Sequence, residues 1–88
     1  MLIINQANSK YFFWDEENQP RSIANLELII TQPLKNFSNV ELRCYCTGDS
    51  TEYVLGDFKT FEKACEVLKE IQKAATAKKE IYHIPQYE

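Results

Sequence analysis

The apolar positions of the chain change their period near residue 56, and this change predicts the order of the secondary structure. Before it, short apolar and aromatic runs alternate with polar turns, which is typical of β-strands. After it, apolar residues recur every three or four positions, as on one face of a helix. Thr60 is placed to cap that helix, because its hydroxyl can accept a hydrogen bond from a first-turn amide. The predicted apolar helix face consists of Phe61, Ala64, Cys65, Leu68, Ile71, Ala74 and Ala75.

Five runs before the helix have the character of strands. The clearest is 40–47, where apolar and polar residues alternate, and the turn at 48–50 then predicts a hairpin. The pair Gly56-Asp57 is expected to redirect the chain into the helix. The predicted strands are 2–4, 11–14, 26–31, 40–47 and 52–55, residues 32–39 form a predicted loop, and 81–84 form either a short extra strand or an ordered tail.

Strands followed by a helix predict an α+β domain, in which an antiparallel β-meander of about five strands packs against one C-terminal α-helix. A half-barrel is the variant of this fold that buries both faces of the sheet. The 88 residues suffice for a single domain with one two-layer core. We assign the sheet to residues 1–58, the helix to 59–80 and the extra strand or tail to 81–88.

Composition and charge narrow the classes of partner. Residues 1–58 carry four Lys or Arg against eight Asp or Glu, so the sheet part has a charge of −4. An acidic sheet is a poor match for the phosphate backbone, and we expect no direct binding to nucleic acid. No apolar run reaches the roughly 18 residues that span a bilayer. We therefore expect no membrane partner and a location in the cytoplasm of a bacterium or of a phage's host.

Candidate chemical groups are sparse. The chain has only two glycines and no phosphate-binding or nucleophile motif, so we expect neither an enzyme nor a cofactor. Cys44 and Cys46 share a strand face, and only Cys65 and His83 are left to complete a zinc site with them. The simpler interpretation is three reduced, buried thiols, because free cysteine is among the most buried residue types.

A run of four consecutive aromatic residues is the strongest functional signal. Neighbouring side chains of a strand point to opposite faces, so only two of the four rings can enter one core. The other two are covered by loops, buried by a half-barrel, or exposed as a surface for protein binding or self-association. The carboxylates that follow would then form an acidic rim that steers basic partners. The predicted partner-binding residues are Tyr11, Phe12, Phe13, Trp14, Asp15, Glu16, Glu17 and Tyr45.

Two short motifs lie at the start of the chain and before the helix. They are Leu2-Ile3-Ile4-Asn5-Gln6 and Leu55-Gly56-Asp57-Phe58-Lys59-Thr60, the second leading into Glu62, Ala64, Val67, Leu68 and Ile71. In these stretches the chain resembles small uncharacterised proteins of phages and mobile elements in Gram-positive bacteria. The resemblance implies a β-meander with a C-terminal helix and an accessory protein, including an inhibitor of a host defence system. It assigns no activity to any residue.

The sequence thus favours a small cytosolic protein-binding module, such as a phage or mobile-element protein that inhibits a host protein by direct contact. Two alternatives stay open. One is a regulatory domain that binds a metal or small ligand through the three cysteines and His83. The other is an acidic mimic of nucleic acid that binds a basic protein.

Overall fold

The computed structural model describes residues 1–16, 19–30 and 40–86. Thr31, the expected loop at 32–39 and the candidate residue Glu17 lie outside the described residues. Within the described part the chain forms six strands and one helix. They are β1 (Leu2–Ile4), β2 (Tyr11–Phe13), β3 (Ile23–Ile30), β4 (Val40–Cys46), β5 (Glu52–Phe58), α1 (Phe61–Thr76) and β6 (Ile81–His83).

The described strands form two three-stranded sheets. The large sheet is an antiparallel meander in the order β3-β4-β5, and the small sheet has the order β2-β1-β6, with β1 antiparallel to β2 and parallel to β6. The predicted α+β fold, an antiparallel meander with a C-terminal helix, is confirmed. Residues 81–83, for which the sequence allowed either a short strand or an ordered tail, pair as a strand. The division into two sheets was not predicted from the sequence.

Among the described elements, the large sheet contributes the largest share of the buried apolar residues. Burial alternates along β4, and Val40, Leu42, Cys44 and Cys46 all point inward as predicted. Strand β5 continues to Phe58, so the expectation that residues 56–57 turn the chain into the helix was wrong. The ladder between β4 and β5 shifts at Leu42/Arg43, and this bulge leaves consecutive residues 55 and 56 both buried. An extra residue in one strand changes which side chains face the core.

The helix begins as predicted but its buried face is shifted. The Lys63 amide donates a hydrogen bond to the Thr60 hydroxyl at 3.1 Å, which confirms the N-cap. Phe61, the first helical residue, is 51% exposed, so its assignment to the core was wrong, and Leu68 is only half-buried. Val67, which was not on the predicted face, is buried instead. The buried helix residues are Ala64, Val67, Ile71 and Ala74.

Candidate functional site

The structure separates the four aromatic residues at 11–14. Phe12 is fully buried and its ring lies 5.4 Å from that of Tyr53, measured between centroids. It is therefore a core residue, and its assignment to a partner-binding surface was wrong. Tyr11 and Phe13 point to the opposite side of the strand, where their rings meet edge to face at 6.1 Å. Tyr11 is 53% exposed and Phe13 is half-buried.

These two rings belong to a continuous apolar sheet face. Leu2 pairs with Phe13 and with Ile81, and Ile4 pairs with Tyr11, so all five side chains lie on the same side of the small sheet. Ile81 is 48% exposed, comparable to Tyr11. We call this surface, consisting of Leu2, Ile4, Tyr11, Phe13 and Ile81, the outer apolar face.

The opposite side of the small sheet is turned toward the core. Ile3 pairs with Phe12 and with Tyr82, and the first two of these residues are fully buried. The Tyr82 hydroxyl reaches the helix and donates to a Glu70 carboxylate oxygen at 2.7 Å. Burial, and then this hydrogen bond, raise the pKa of Tyr82. One face of the small sheet therefore packs in the core, and the other face does not.

Trp14 and the described part of the acidic cluster lie beyond the end of β2. The half-buried Trp14 lies between two clefts, one beside the C-terminal end of the helix and one beside β3. Asp15 and Glu16 are exposed at the first cleft, about 540 Å³ in volume. Lys78 and Lys79 line the same cleft. Glu80 lines it too, so the cleft combines carboxylates with basic groups and is not a uniformly acidic rim.

Tyr45 lies on the other sheet and does not join the aromatic run. Its hydroxyl donates to Glu52 and lies 3.3 Å from a Glu27 carboxylate oxygen. The bond to Glu52, followed by burial, raises the pKa of Tyr45 to about 12. Arg43 binds Glu52 at 2.7 Å and also pairs with Glu41.

Asp57 completes this side of the large sheet, because it pairs with Glu41 in the β4–β5 ladder. Burial, and then the charge of Glu41, raise the pKa of the Asp57 carboxyl. We call the surface formed by Glu27, Glu41, Arg43, Tyr45, Glu52 and Asp57 the charged outer face. Arg43 and Tyr45 hydrogen-bond to three of its carboxylates. The apolar Ile29 and Val54 lie on the same side of the sheet, but the charged and polar groups outnumber them.

The candidate metal ligands do not converge. Cys44 and Cys46 lie in the core, and burial raises the pKa of Cys44 to about 12 and also raises the pKa of Cys46. Zinc binds the thiolate, which such an environment disfavours. Cys65 is half-buried on the helix, and His83 is exposed on the side of the small sheet that faces away from the core. Among the described residues no group of three or more His, Cys, Asp or Glu side chains could hold a metal ion.

Gln6 is the central residue that the sequence reasoning missed. Its side-chain amide pairs with both backbone groups of Asp57, donating to the carbonyl at 2.9 Å and accepting from the N–H at 3.0 Å. The same amide nitrogen also donates to the Pro85 carbonyl at 2.8 Å. A Cβ added at Gly56 would lie 2.9 Å from a methyl group of Ile84, so the backbone approach needs glycine there.

These contacts bring together the two motifs on which the family resemblance rests. Gln6 comes from the first motif, and Gly56 and Asp57 come from the second. The motifs therefore supply the contacts of Gln6, Gly56 and Asp57 that connect the two sheets. We call these contacts the joint between the sheets. The positions of the two motifs, one at each end of the sheet region, are the sequence signal that could have located this joint.

No protein-family model, curated protein or solved structure matches the chain. Within the described residues, no helix has the length and apolar character needed to cross a membrane.

Proposed function

We propose that the chain is a small protein-binding module that contacts its partner through the outer apolar face. The observation that carries this proposal is that the outer apolar face of the small sheet does not pack in the core. Tyr11 and Ile81 are each about half exposed there, next to Leu2, Ile4 and Phe13. Clustered apolar side chains on a surface mark interaction sites, and aromatic residues are enriched at the centres of interfaces.

The outer apolar face is suited to the centre of an interface. Three strands of three residues each make a small surface, whereas a typical interface buries roughly 800 Å² per partner. A few central residues commonly supply most of the binding energy, and polar residues surround them. Arg21 and His83 provide such polar neighbours, since the Arg21 guanidinium lies 5.8 Å from the centre of the Tyr11 ring and His83 pairs with Ile4.

The biological setting that we propose is a cytosolic accessory protein of a phage or mobile element, which inhibits a host protein by direct contact. The support for this setting is the resemblance of the two short motifs to such proteins. Because the motif residues form the joint between the sheets, the resemblance concerns the architecture of the domain. Protein contact, with a host protein or with a second copy, is the proposed mode of action.

A matched pair of double variants tests the proposal. Tyr11→Ser/Phe13→Ser removes an aromatic pair from the outer apolar face, and Val54→Ser/Phe61→Ser removes two side chains that are 43% and 51% exposed elsewhere. Binding is measured by quantitative capture of labelled host-lysate proteins and self-association by analytical ultracentrifugation, with circular dichroism to verify folding.

We expect the first double variant to remain folded and to lose the partner or the self-association, while the second retains both. If the first variant is folded and retains the same partner with unchanged affinity, the outer apolar face is not the binding surface.

A further inference from the structure

One edge of the large sheet is open in the described structure. Strand β3 pairs with β4 along one side. On the other side an isolated parallel bridge joins Ser22, just before β3, to Phe13 of β2, and β3 itself has no strand partner there among the residues that the structure describes. A register shift between Ile23 and Asn25 interrupts the ladder near the start of β3, and residues 25–30 then pair without interruption. An open strand edge carries unpaired backbone N–H and C=O groups that can pair with another extended chain.

A groove runs beside this edge on the side of the helix. It has a volume of about 610 Å³, and its large apolar lining residues are Trp14, Ile23 and Leu26 of the sheet region and Leu68 of the helix. Asp15, Asn25 and Gln72 add polar groups to the lining. Trp14, Ile23, Leu26 and Leu68 are half-buried and pack against the core. A strand added to β3 would direct every second side chain to the helix side of the sheet, and those beside the start of β3 would enter this groove.

The opposite side of the same edge is acidic. Glu27 lies on the outer side of β3, and behind it the charged outer face holds Glu41, Glu52 and Asp57 against the single guanidinium of Arg43. Four carboxylates against one cation leave this face with an excess negative charge of three. The side chain of an added strand that lies opposite Glu27 would be beside this charge, which favours lysine or arginine at that position. The neighbouring outward positions of β3 are Asn25 and Ile29.

We propose that β3 binds an extended segment of a partner protein in which apolar residues alternate with lysine or arginine. The segment would add to the large sheet as a fourth strand, a known mode of peptide recognition. Its apolar side chains would contact Leu26, Leu68 and Trp14, and a basic side chain would lie opposite Glu27. A second copy of this chain fits less well, because it would bring an equally acidic face alongside Glu27.

This site is separate from the outer apolar face, which belongs to the other sheet. The experiment uses the full chain labelled with nitrogen-15 and three capped synthetic heptapeptides. The first alternates valine and lysine, the second alternates valine and glutamate, and the third contains the residues of the first in two blocks. We expect the first peptide alone to shift the amide signals of residues 25–30 and to slow their hydrogen exchange.

A charge reversal makes the test specific. Glu27→Lys should weaken binding of the valine–lysine peptide about fivefold, the upper range for a cross-strand charge pair, and should allow the valine–glutamate peptide to bind. The control Glu66→Lys makes the same change of charge on the helix, where the Glu66 side chain is 65% exposed, and should leave both affinities unchanged. The Tyr11→Ser/Phe13→Ser variant should also bind the first peptide normally, whether or not the outer apolar face has a partner.

Several results would overturn the proposal. They are equal binding of the three peptides, signal shifts confined to other strands, and the absence of binding at millimolar peptide. Protection of the β3 amides that grows with protein concentration, without any peptide, would assign the edge to a second copy instead.

Discussion

The two sheets are alike in strand number and differ in what they present outward. The outward residues of the large sheet are mainly carboxylates, a guanidinium and a phenol, with Arg43 and Tyr45 both bound to Glu52. The apolar Ile29 and Val54 lie on the same side. The outward residues of the small sheet are aliphatic and aromatic, with Tyr11 and Ile81 about half exposed. Both inner faces contribute buried apolar residues to the core, so the core does not explain this difference.

The comparison shows where the domain has surface that its own fold does not require. Exposed charged side chains that pair with each other are compatible with contact to water and contribute little to stability. Exposed aromatic and aliphatic side chains gain free energy when another surface removes them from water. The small sheet is therefore the better candidate for contact through its face, whereas the large sheet offers the edge of β3.

The largest expected effect tests the two faces of the small sheet. Phe12→Ala should lower the free energy of unfolding by about 3–5 kcal/mol, because it opens a cavity in the core. Tyr11→Ala, one position away and 53% exposed, should cost about 1 kcal/mol or less. Urea unfolding followed by circular dichroism measures both. Equal losses would show that the outer apolar face is packed against something in the folded monomer.

An intermediate effect tests the joint between the sheets. Gln6→Leu removes the partners of the Asp57 N–H and carbonyl and of the Pro85 carbonyl, and should cost about 1–3 kcal/mol. Hydrogen exchange should accelerate most in β1 and β6. The exposed Gln72→Leu is the matched control and should change stability by about 0.5 kcal/mol or less. If Gln6→Leu is as mild as its control, the joint does not depend on this side chain.

The smallest effect concerns the charged outer face. Burial, and then Glu41, raise the pKa of Asp57 above its usual 3.8, so the charged form is disfavoured in the folded protein. Asp57→Asn should therefore increase stability at pH 7 by less than about 1 kcal/mol after solvent screening. The gain should shrink as the pH falls through the folded-state pKa and vanish below the unfolded-state value.

Asp49→Asn is the control of opposite sign for this measurement. Hydrogen bonds from the Thr51 backbone and the Tyr53 hydroxyl lower the pKa of Asp49, so its carboxylate stabilises the fold at neutral pH. Asp49→Asn should decrease stability at pH 7. That contribution is present above the unfolded-state pKa and is lost as the pH falls through the folded-state value. Thermal unfolding between pH 3 and pH 7 measures both variants, and a stabilising Asp49→Asn would contradict this assignment.

Local features of the fold could be predicted from the sequence. The alternation of β4, the hairpin and the Thr60 cap each depend on residues that are close in the chain. The helix face was less certain, because two stripes share the spacing of three and four residues. Ala64, Ile71 and Ala74 are buried as predicted, whereas the face turns toward Val67 and away from Phe61. How the helix rests on the sheet decides between them, and this depends on tertiary packing.

The small sheet could not be predicted, because its pairing joins residues 2–4 to residues 81–83. Runs of three residues carry too little periodicity to show a partner or a register. The candidate site was predicted in part. Strand alternation required two of the four rings to face away from the core, and Tyr11 and Phe13 do so. Which pair faces outward depends on the register with β1, which the sequence does not show.

The parallel pairing of β1 with β6 has a consequence for synthesis on the ribosome. The hairpin and the helix can form from segments that emerge one after another, but β1 acquires its second neighbour only when residues 81–83 have left the exit tunnel. Until then one edge of the first-made strand is open. Completion of the small sheet is a long-range closure and should be a late step in the folding of the nascent chain.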